Sequence, residues 1–174
     1  FLCGILAAAA VNSAEATADA LSQLPSHITV DERFHVSAQP TAEAIVKLRS
    51  AGVGTVINLR PASETPDLDE KGIVEKAGMK YVSLPVAGAA GLTRDNVVAF
   101  DQAMAAASEG KVLMHCASGN RVGAMMALRA RWIQGKSADE ALAIGRSSGL
   151  KGLEGDVKAL LQPEPPKVDV VSAP

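Results

Sequence analysis

Lys111-Val-Leu-Met-His-Cys-Ala-Ser-Gly-Asn-Arg-Val-Gly123 decides how this chain is read. Lys111 to His115 is a short apolar run, expected as a buried strand. Cys116 closes it, and a loop of small residues leads to Arg121. From Asn120 to Gln134 apolar residues cover most of a helical surface, so a central helix is expected there. A strand that ends in cysteine and turns tightly into a helix gathers backbone N–H groups and the helix's positive end around one thiol. Ala117, Ser118, Gly119 and Asn120 would line this phosphate-binding loop, and Gly119 allows the positive φ of a tight turn. Arg121 adds a planar fork that matches two phosphate oxygens. The same field favours a thiolate at Cys116. The expected chemistry is thiolate attack on a bound phosphoryl group, giving a cysteinyl-phosphate that water hydrolyses, with no metal or other cofactor required. Taken singly, Cys116 could be a buried small hydrophobe and Arg121 an exposed helix arginine. Their shared strand–loop–helix setting argues for a site.

Upstream and downstream, strands and helices alternate. Ile28 to Val30 and Phe34 to Val36 read as short extended pieces, Val53 to Leu59 and Lys80 to Leu84 as strands. Thr41 is placed to cap a helix over Ala42 to Ala51, and Asp69 to Ala77 reads as a second. Thr93 caps a third that runs to about Ser108, with Val97, Phe100 and Met104 as its core stripe. Ser137-Ala-Asp-Glu140 is a capping box, and Leu153 to Leu161 reads as a last helix. The alternation implies an α/β domain of three layers, a central, mostly parallel sheet flanked by helices. Ligands in such sheets bind beyond the carboxyl ends of the strands, where His115-Cys116 falls. His115 could tune the thiolate or brace the loop; bracing is the favoured reading, because neighbours on a strand point to opposite faces. Trp132 is expected in the core.

The chain has 174 residues and a net charge of −2, with 48% apolar and only 3% aromatic residues. The core must therefore be built from Ala, Val, Leu, Ile and Met. No basic block exists to bind nucleic acid, and His27, His35 and His115 lack the spacing of metal ligands. Residues 1–16, an apolar run followed by small residues, are expected to be the remnant of a secretory signal; an ordinary apolar helix is the alternative. Export implies a periplasmic or secreted protein, without stable membrane association once the signal is removed. Cys116 would then be the sole cysteine of the mature chain. The domain is expected over residues 26–162, followed by a Pro-rich tail, 163–174, expected to be disordered.

Four segments carry a resemblance: Ser37-Ala-Gln-Pro-Thr41; Thr55-Val-Ile-Asn-Leu-Arg-Pro61 with Glu64; Gly78-Met-Lys-Tyr-Val-Ser-Leu-Pro-Val86; and His115-Cys-Ala-Ser-Gly-Asn-Arg121. Over Phe34 to Leu161 the chain resembles the bacterial beta-lactamase-hydrolase-like phosphatases, within the cysteine-dependent tyrosine and dual-specificity phosphatase superfamily. The resemblance implies phosphomonoester hydrolysis on a phosphorylated protein or small molecule, with Cys116 as nucleophile and Arg121 as clamp. Three departures bear on the chemistry. Four residues separate Cys116 from Arg121, where tyrosine phosphatases usually have five. Val122 follows the arginine, where those enzymes usually carry a hydroxyl. The loop Val86 to Leu92 holds no carboxylate, although the superfamily places its general acid after the corresponding strand. Asp95 is the next candidate acid, its competing role being a first-turn carboxylate favoured by the helix dipole. Glu64 and Asp67 are further candidates. Arg60 either points toward the site or pairs with Glu64. The four-residue gap also suits a rhodanese-type sulfurtransferase, and the missing hydroxyl and acid suit a phosphate- or phosphoprotein-binding module with weak turnover.

Overall fold

A computed structural model describes residues 20–107 and 109–162. The expected signal segment, residues 1–16, and the Pro-rich tail, 163–174, lie outside the described residues.

Five strands form one sheet: β1 (Ile28–Thr29), β2 (Phe34–Ser37), β3 (Val53–Asn58), β4 (Lys80–Ser83) and β5 (Lys111–His115). Their order is β1-β2-β5-β3-β4, which puts β5 at the centre. β2, β3, β4 and β5 are parallel, and β1 runs antiparallel to β2 along one edge. The pairing register sets Ser37 and Asn58 on either side of His115, with Ser83 beyond Asn58. The carboxyl ends of all four parallel strands therefore finish level with the residue before Cys116.

The helices that flank the sheet among the described residues include α1 (Ala42–Leu48), α2 (Glu70–Lys76), α3 (Arg94–Ala106), α4 (Asn120–Trp132), α5 (Ala138–Ser147) and α6 (Glu154–Leu161). Short 3₁₀ turns occupy Ala62–Glu64 and Gly88–Gly91. The caps form as the sequence implies. Thr41 Oγ1 accepts the Ala44 N–H, Thr93 Oγ1 accepts that of Asn96, and both halves of the Ser137/Glu140 capping box are present. Several helices stop short of their sequence pattern. α1 ends at Leu48 because Ser50 to Gly52 close a turn, with Gly52 at φ +85°.

Alternation along the strands divides the apolar side chains between two faces. Val112 and Met114 of β5, with Val36 and Ile57, pack against Phe100, Met125 and Leu128 on the α3–α4 side. Leu113, Val53 and Val56 pack against Ile45, Leu48 and Val74 of α1 and α2. The result is the three-layer α/β architecture expected from the alternation. α4 lies so deep that nine of its thirteen residues are buried. A helix enclosed to that degree holds its amino-terminal end, and the loop before it, in a fixed place.

Candidate active site

The cradle is built where β5 gives way to α4. Cys116 is only 1% exposed. Its Sγ accepts the Gly119 backbone N–H at 3.1 Å, so the loop wraps around the sulfur. Gly119 caps α4 at φ +84°, a conformation disfavoured for a side chain larger than hydrogen. Gly123 N–H bonds to Gly119 O at 3.0 Å and closes the first helical turn. The preceding N–H groups at the helix start have no carbonyl a turn before them and stay available to an oxyanion. Ala117 and Ser118 are exposed at the mouth of the loop.

Arg121 is buried to 9% exposure on the first turn of α4. Its Nη1 donates to Glu64 Oε1 at 2.8 Å and to Val86 O at 3.0 Å, and its Nη2 donates to Glu64 Oε2 at 2.6 Å. Nη1 also lies 3.4 Å from Leu59 O, and the guanidinium is drawn to Cys116 by hydrogen bonding and charge, so its remaining donors, on Nε and Nη2, are the ones that could meet an anion over the thiol. Burial works against the charge on Arg121, but Glu64 and Cys116 outweigh it and hold its pKa above the usual arginine value. Arg60 pairs with the same carboxylate, Nε to Glu64 Oε2 at 3.1 Å, and its Nη2 donates to Glu64 O at 2.8 Å. Hydrogen bonds from Arg121, opposed by burial and aided by Arg60, hold the Glu64 carboxyl below its ordinary pKa. Glu64 is therefore an anion that aims Arg121, and a poor source of protons.

Beneath the loop, His115 is fully buried and points away from the cradle, as its place on the strand required. Its Nε2 lies 2.6 Å from Oε1 of Glu70, which opens α2 and is 3% exposed. Glu70 Oε2 also accepts Gln39 Nε2 at 2.9 Å and Asn58 Nδ2 at 3.2 Å. Burial alone would raise the Glu70 pKa; the His115 hydrogen bond and charge, with Gln39 and Arg60, overcome it and leave the value lowered. An ionised carboxylate only accepts, so Nε2 of His115 carries the proton in this bond. His115 Nδ1 is buried with no hydrogen-bond partner among the described residues.

The structure gathers Cys116, Ala117, Ser118, Gly119 and Arg121 at one place. Asn120 is there too, but its side-chain oxygen is turned aside to accept the backbone N–H groups of Lys151 at 2.7 Å and Leu153 at 3.3 Å. It fastens the cradle to the α5–α6 loop, leaving its own N–H for a ligand. Val122 is fully buried and contributes to the core. Asp95 stands exposed on the first turn of α3, and no hydrogen bond or ion pair among the described residues joins it to Cys116 or Arg121. Its neighbour Arg94 stacks on Trp132, at the far end of α4 from Arg121, 4.9 Å from the ring centre. Asp67 is likewise exposed. Trp132 is only partly buried, its ring packed against the core edge.

Sequence reasoning gave no role to Glu70, Asn58 or Gln39. Only the fold places Glu70 under His115. A cavity of about 400 Å³ beside this network is lined by Asn58, Arg60, Glu70, Tyr81 and Ser83, and Cys116 is not part of its wall. Among the described residues no three His, Cys, Asp or Glu side chains gather to hold a metal ion.

Residues 26–131 match the model of the phosphatase-like domain of beta-lactamase hydrolase-like proteins. The chain belongs to this family. A beta-lactamase hydrolase-like protein of Xylella fastidiosa is 34% identical over 127 residues, covering 70% of this chain and 29% of that protein. The chain thus spans less than a third of the length of the curated relatives it matches. A DUF442 protein of Shewanella putrefaciens CN-32, named as a candidate phosphatase, superposes with a TM-score of 0.62 at 26% identity, covering 83% of this chain and 91% of that one. A cysteine-to-serine form of TpbA from P. aeruginosa in complex with phosphotyrosine superposes with a TM-score of 0.53 at 26% identity, covering 74% and 78%. This chain therefore has the cysteine-phosphatase fold.

Proposed function

We propose that this domain hydrolyses phosphomonoesters through a Cys116 phosphoenzyme. One observation carries the reading: the Cys116 sulfur sits on the floor of an N–H-lined loop, bonded by Gly119, with the Arg121 guanidinium held beside it by Glu64. A phosphate dianion placed there accepts from the loop N–H groups and the remaining Arg121 donors. The sulfur attacks phosphorus in line, the ester P–O bond breaks, and the departing oxygen takes a proton. Loop and guanidinium are already in place for the charge that spreads over the phosphoryl oxygens. Water then attacks the phosphocysteine, releasing phosphate and the thiolate. Glu64 is committed as an anion to Arg121, which leaves Asp95 and Asp67 as the candidate general acids. The substrate is a phosphorylated protein or small molecule, which approaches the mouth formed by Ala117 and Ser118. Export to the periplasm or beyond follows from the signal-like composition of residues 1–16.

Hydrolysis of p-nitrophenyl phosphate by wild type and Cys116→Ser tests the reaction. Activity that disappears in the variant supports it. Thiosulfate-to-cyanide sulfur transfer without phosphatase activity would replace it by the sulfurtransferase reading. Phosphate-induced thermal stabilisation without either activity would reduce the domain to a binding module.

A further inference from the structure

We propose that Gln39 is a positioning residue that couples the two halves of the cradle, the His115–Cys116 side and the Arg121 clamp. Gln39 lies in the segment between β2 and α1. Its backbone N–H faces Ala117 O at 3.5 Å, at the outer edge of hydrogen-bond range. Its side chain donates from Nε2 to Glu70 Oε2 at 2.9 Å and to Pro40 O at 3.2 Å, and accepts Arg60 Nη1 on Oε1 at 2.8 Å. The amide orientation is dictated by its neighbours. A carboxylate can only accept and a guanidinium can only donate.

These bonds close a continuous path from His115 through Glu70, Gln39, Arg60 and Glu64 to Arg121. Its successive links measure 2.6, 2.9, 2.8, 3.1 and 2.6 Å. Among the described residues no ion pair joins Glu70 to Arg60 directly, so Gln39 is the bridge between them. Its position calls for a neutral group with a donor and an acceptor on opposite edges. A glutamate would set a second anion against Glu70, a lysine would oppose Arg60, and a methionine would satisfy neither. Along this path the carboxylates of Glu64 and Glu70 alternate with the guanidinium groups of Arg60 and Arg121. Through Gln39, the Ser37-Ala-Gln-Pro-Thr41 segment locks the aim of the clamp relative to the nucleophile.

The kinetic readout rests on the phosphatase reading; the structural readout does not. Gln39→Glu and Gln39→Met are compared with wild type in p-nitrophenyl phosphate turnover between pH 5 and 8, with thermal melting to confirm folding. Misaiming a clamp by about 1 Å costs on the order of 10²-fold, so kcat/KM of Q39E is expected to fall by about that factor at pH 8. A protonated glutamate can donate to Glu70 and accept from Arg60 as the amide does. The Q39E-to-wild-type ratio should therefore recover as pH falls, while the Q39M ratio stays low and flat. The groups facing this position are Glu70, Arg60 and, one bond further, His115 and Glu64; Q39M deprives Glu70 of the same hydrogen bond as an ionised Q39E does, so its profile reports their titration without that of the new carboxyl. Independently of turnover, NMR of the unliganded protein follows the Arg121 guanidinium protons, assigned by their loss in Arg121→Lys, and the His115 Nε2 proton. Slow exchange in wild type and fast exchange in both variants supports the coupling, even for a protein that hydrolyses nothing. Unchanged Arg121 and His115 signals in folded Q39E and Q39M would overturn it, as would a Q39E with wild-type kinetics at pH 8.

Discussion

Glu64 holds Arg121 through both carboxylate oxygens, at 2.8 and 2.6 Å, while Arg60 binds the same carboxylate at 3.1 Å. The phosphate clamp is thus aimed by a residue 57 positions earlier in the chain. A guanidinium so tethered loses its freedom before a ligand arrives, which lowers the cost of binding one. Glu64→Gln keeps the shape but replaces one accepting oxygen with a donor that opposes Arg121. Its kcat/KM for p-nitrophenyl phosphate is expected to fall about 10- to 100-fold, with a melting temperature close to wild type. Wild-type kinetics in E64Q would show that Arg121 keeps its aim without this partner.

Arg121 is bidentate toward Glu64 and keeps donors on Nε and Nη2 for phosphate, a geometry that an ammonium group cannot reproduce. Arg121→Lys is expected to weaken inorganic phosphate binding at least tenfold by titration calorimetry. Equal affinities in the two proteins would place the phosphate elsewhere.

If Asp95 protonates the leaving oxygen, its loss matters most where the leaving group is a poor one. Asp95→Asn should slow phenyl phosphate hydrolysis by about 10²–10⁴-fold and p-nitrophenyl phosphate hydrolysis far less. Equal losses on both substrates, or none, would remove Asp95 from the mechanism and return attention to Asp67.

His27 Nε2 lies 3.2 Å from His35 Nδ1, with the two rings stacked, and His35 Nε2 is buried without a partner among the described residues. Burial lowers the pKa of both rings below 6.5, with Lys111 adding to the effect at each and His27 adding at His35. The unfolded chain then binds more protons than the folded one as pH falls through 6.5. The contribution to stability is full above that pH and is lost on acidification. Wild type should melt at a lower temperature at pH 5 than at pH 7, and His35→Gln should show a smaller difference. The same slope in both proteins would assign the acid sensitivity to other groups.

A Cβ on Gly123 would fall 2.1 Å from the backbone nitrogen of Leu150. Gly123 lies two residues after Arg121, where α4 meets the loop that Asn120 also grips. Gly123→Ala must push that loop away, at about 1–3 kcal/mol of overpacking, read by chemical denaturation. A neutral substitution would mean that the loop yields without strain.

Local patterns made much of this molecule legible. The run from Lys111 to His115, the turn at Gly119 and the apolar α4 placed Cys116 and Arg121 at a strand–helix junction, because period, capping and turn chemistry act over a few residues. The caps at Thr41, Thr93 and Ser137 formed for the same reason. The pattern overran several helix ends, where turn closure competes with the last helical bonds. Strand alternation turned His115 to the face opposite Cys116, where its Nε2 meets Glu70.

The partners of these residues were not legible. Glu70 and His115 lie 45 positions apart and Gln39 and Glu70 31 apart, and no periodicity relates them. The sequence by itself determined the alternating α/β layers, the thiol at the end of a strand and the arginine at the start of a helix, since each follows from local backbone preference and apolar spacing. Only the tertiary structure decided that Glu64 aims Arg121, that Glu70 holds His115 and that Gln39 joins the two. Hydrogen bonds between side chains need both groups within about 3 Å of each other, and only the packed sheet, with its four carboxyl ends level, brings them that close.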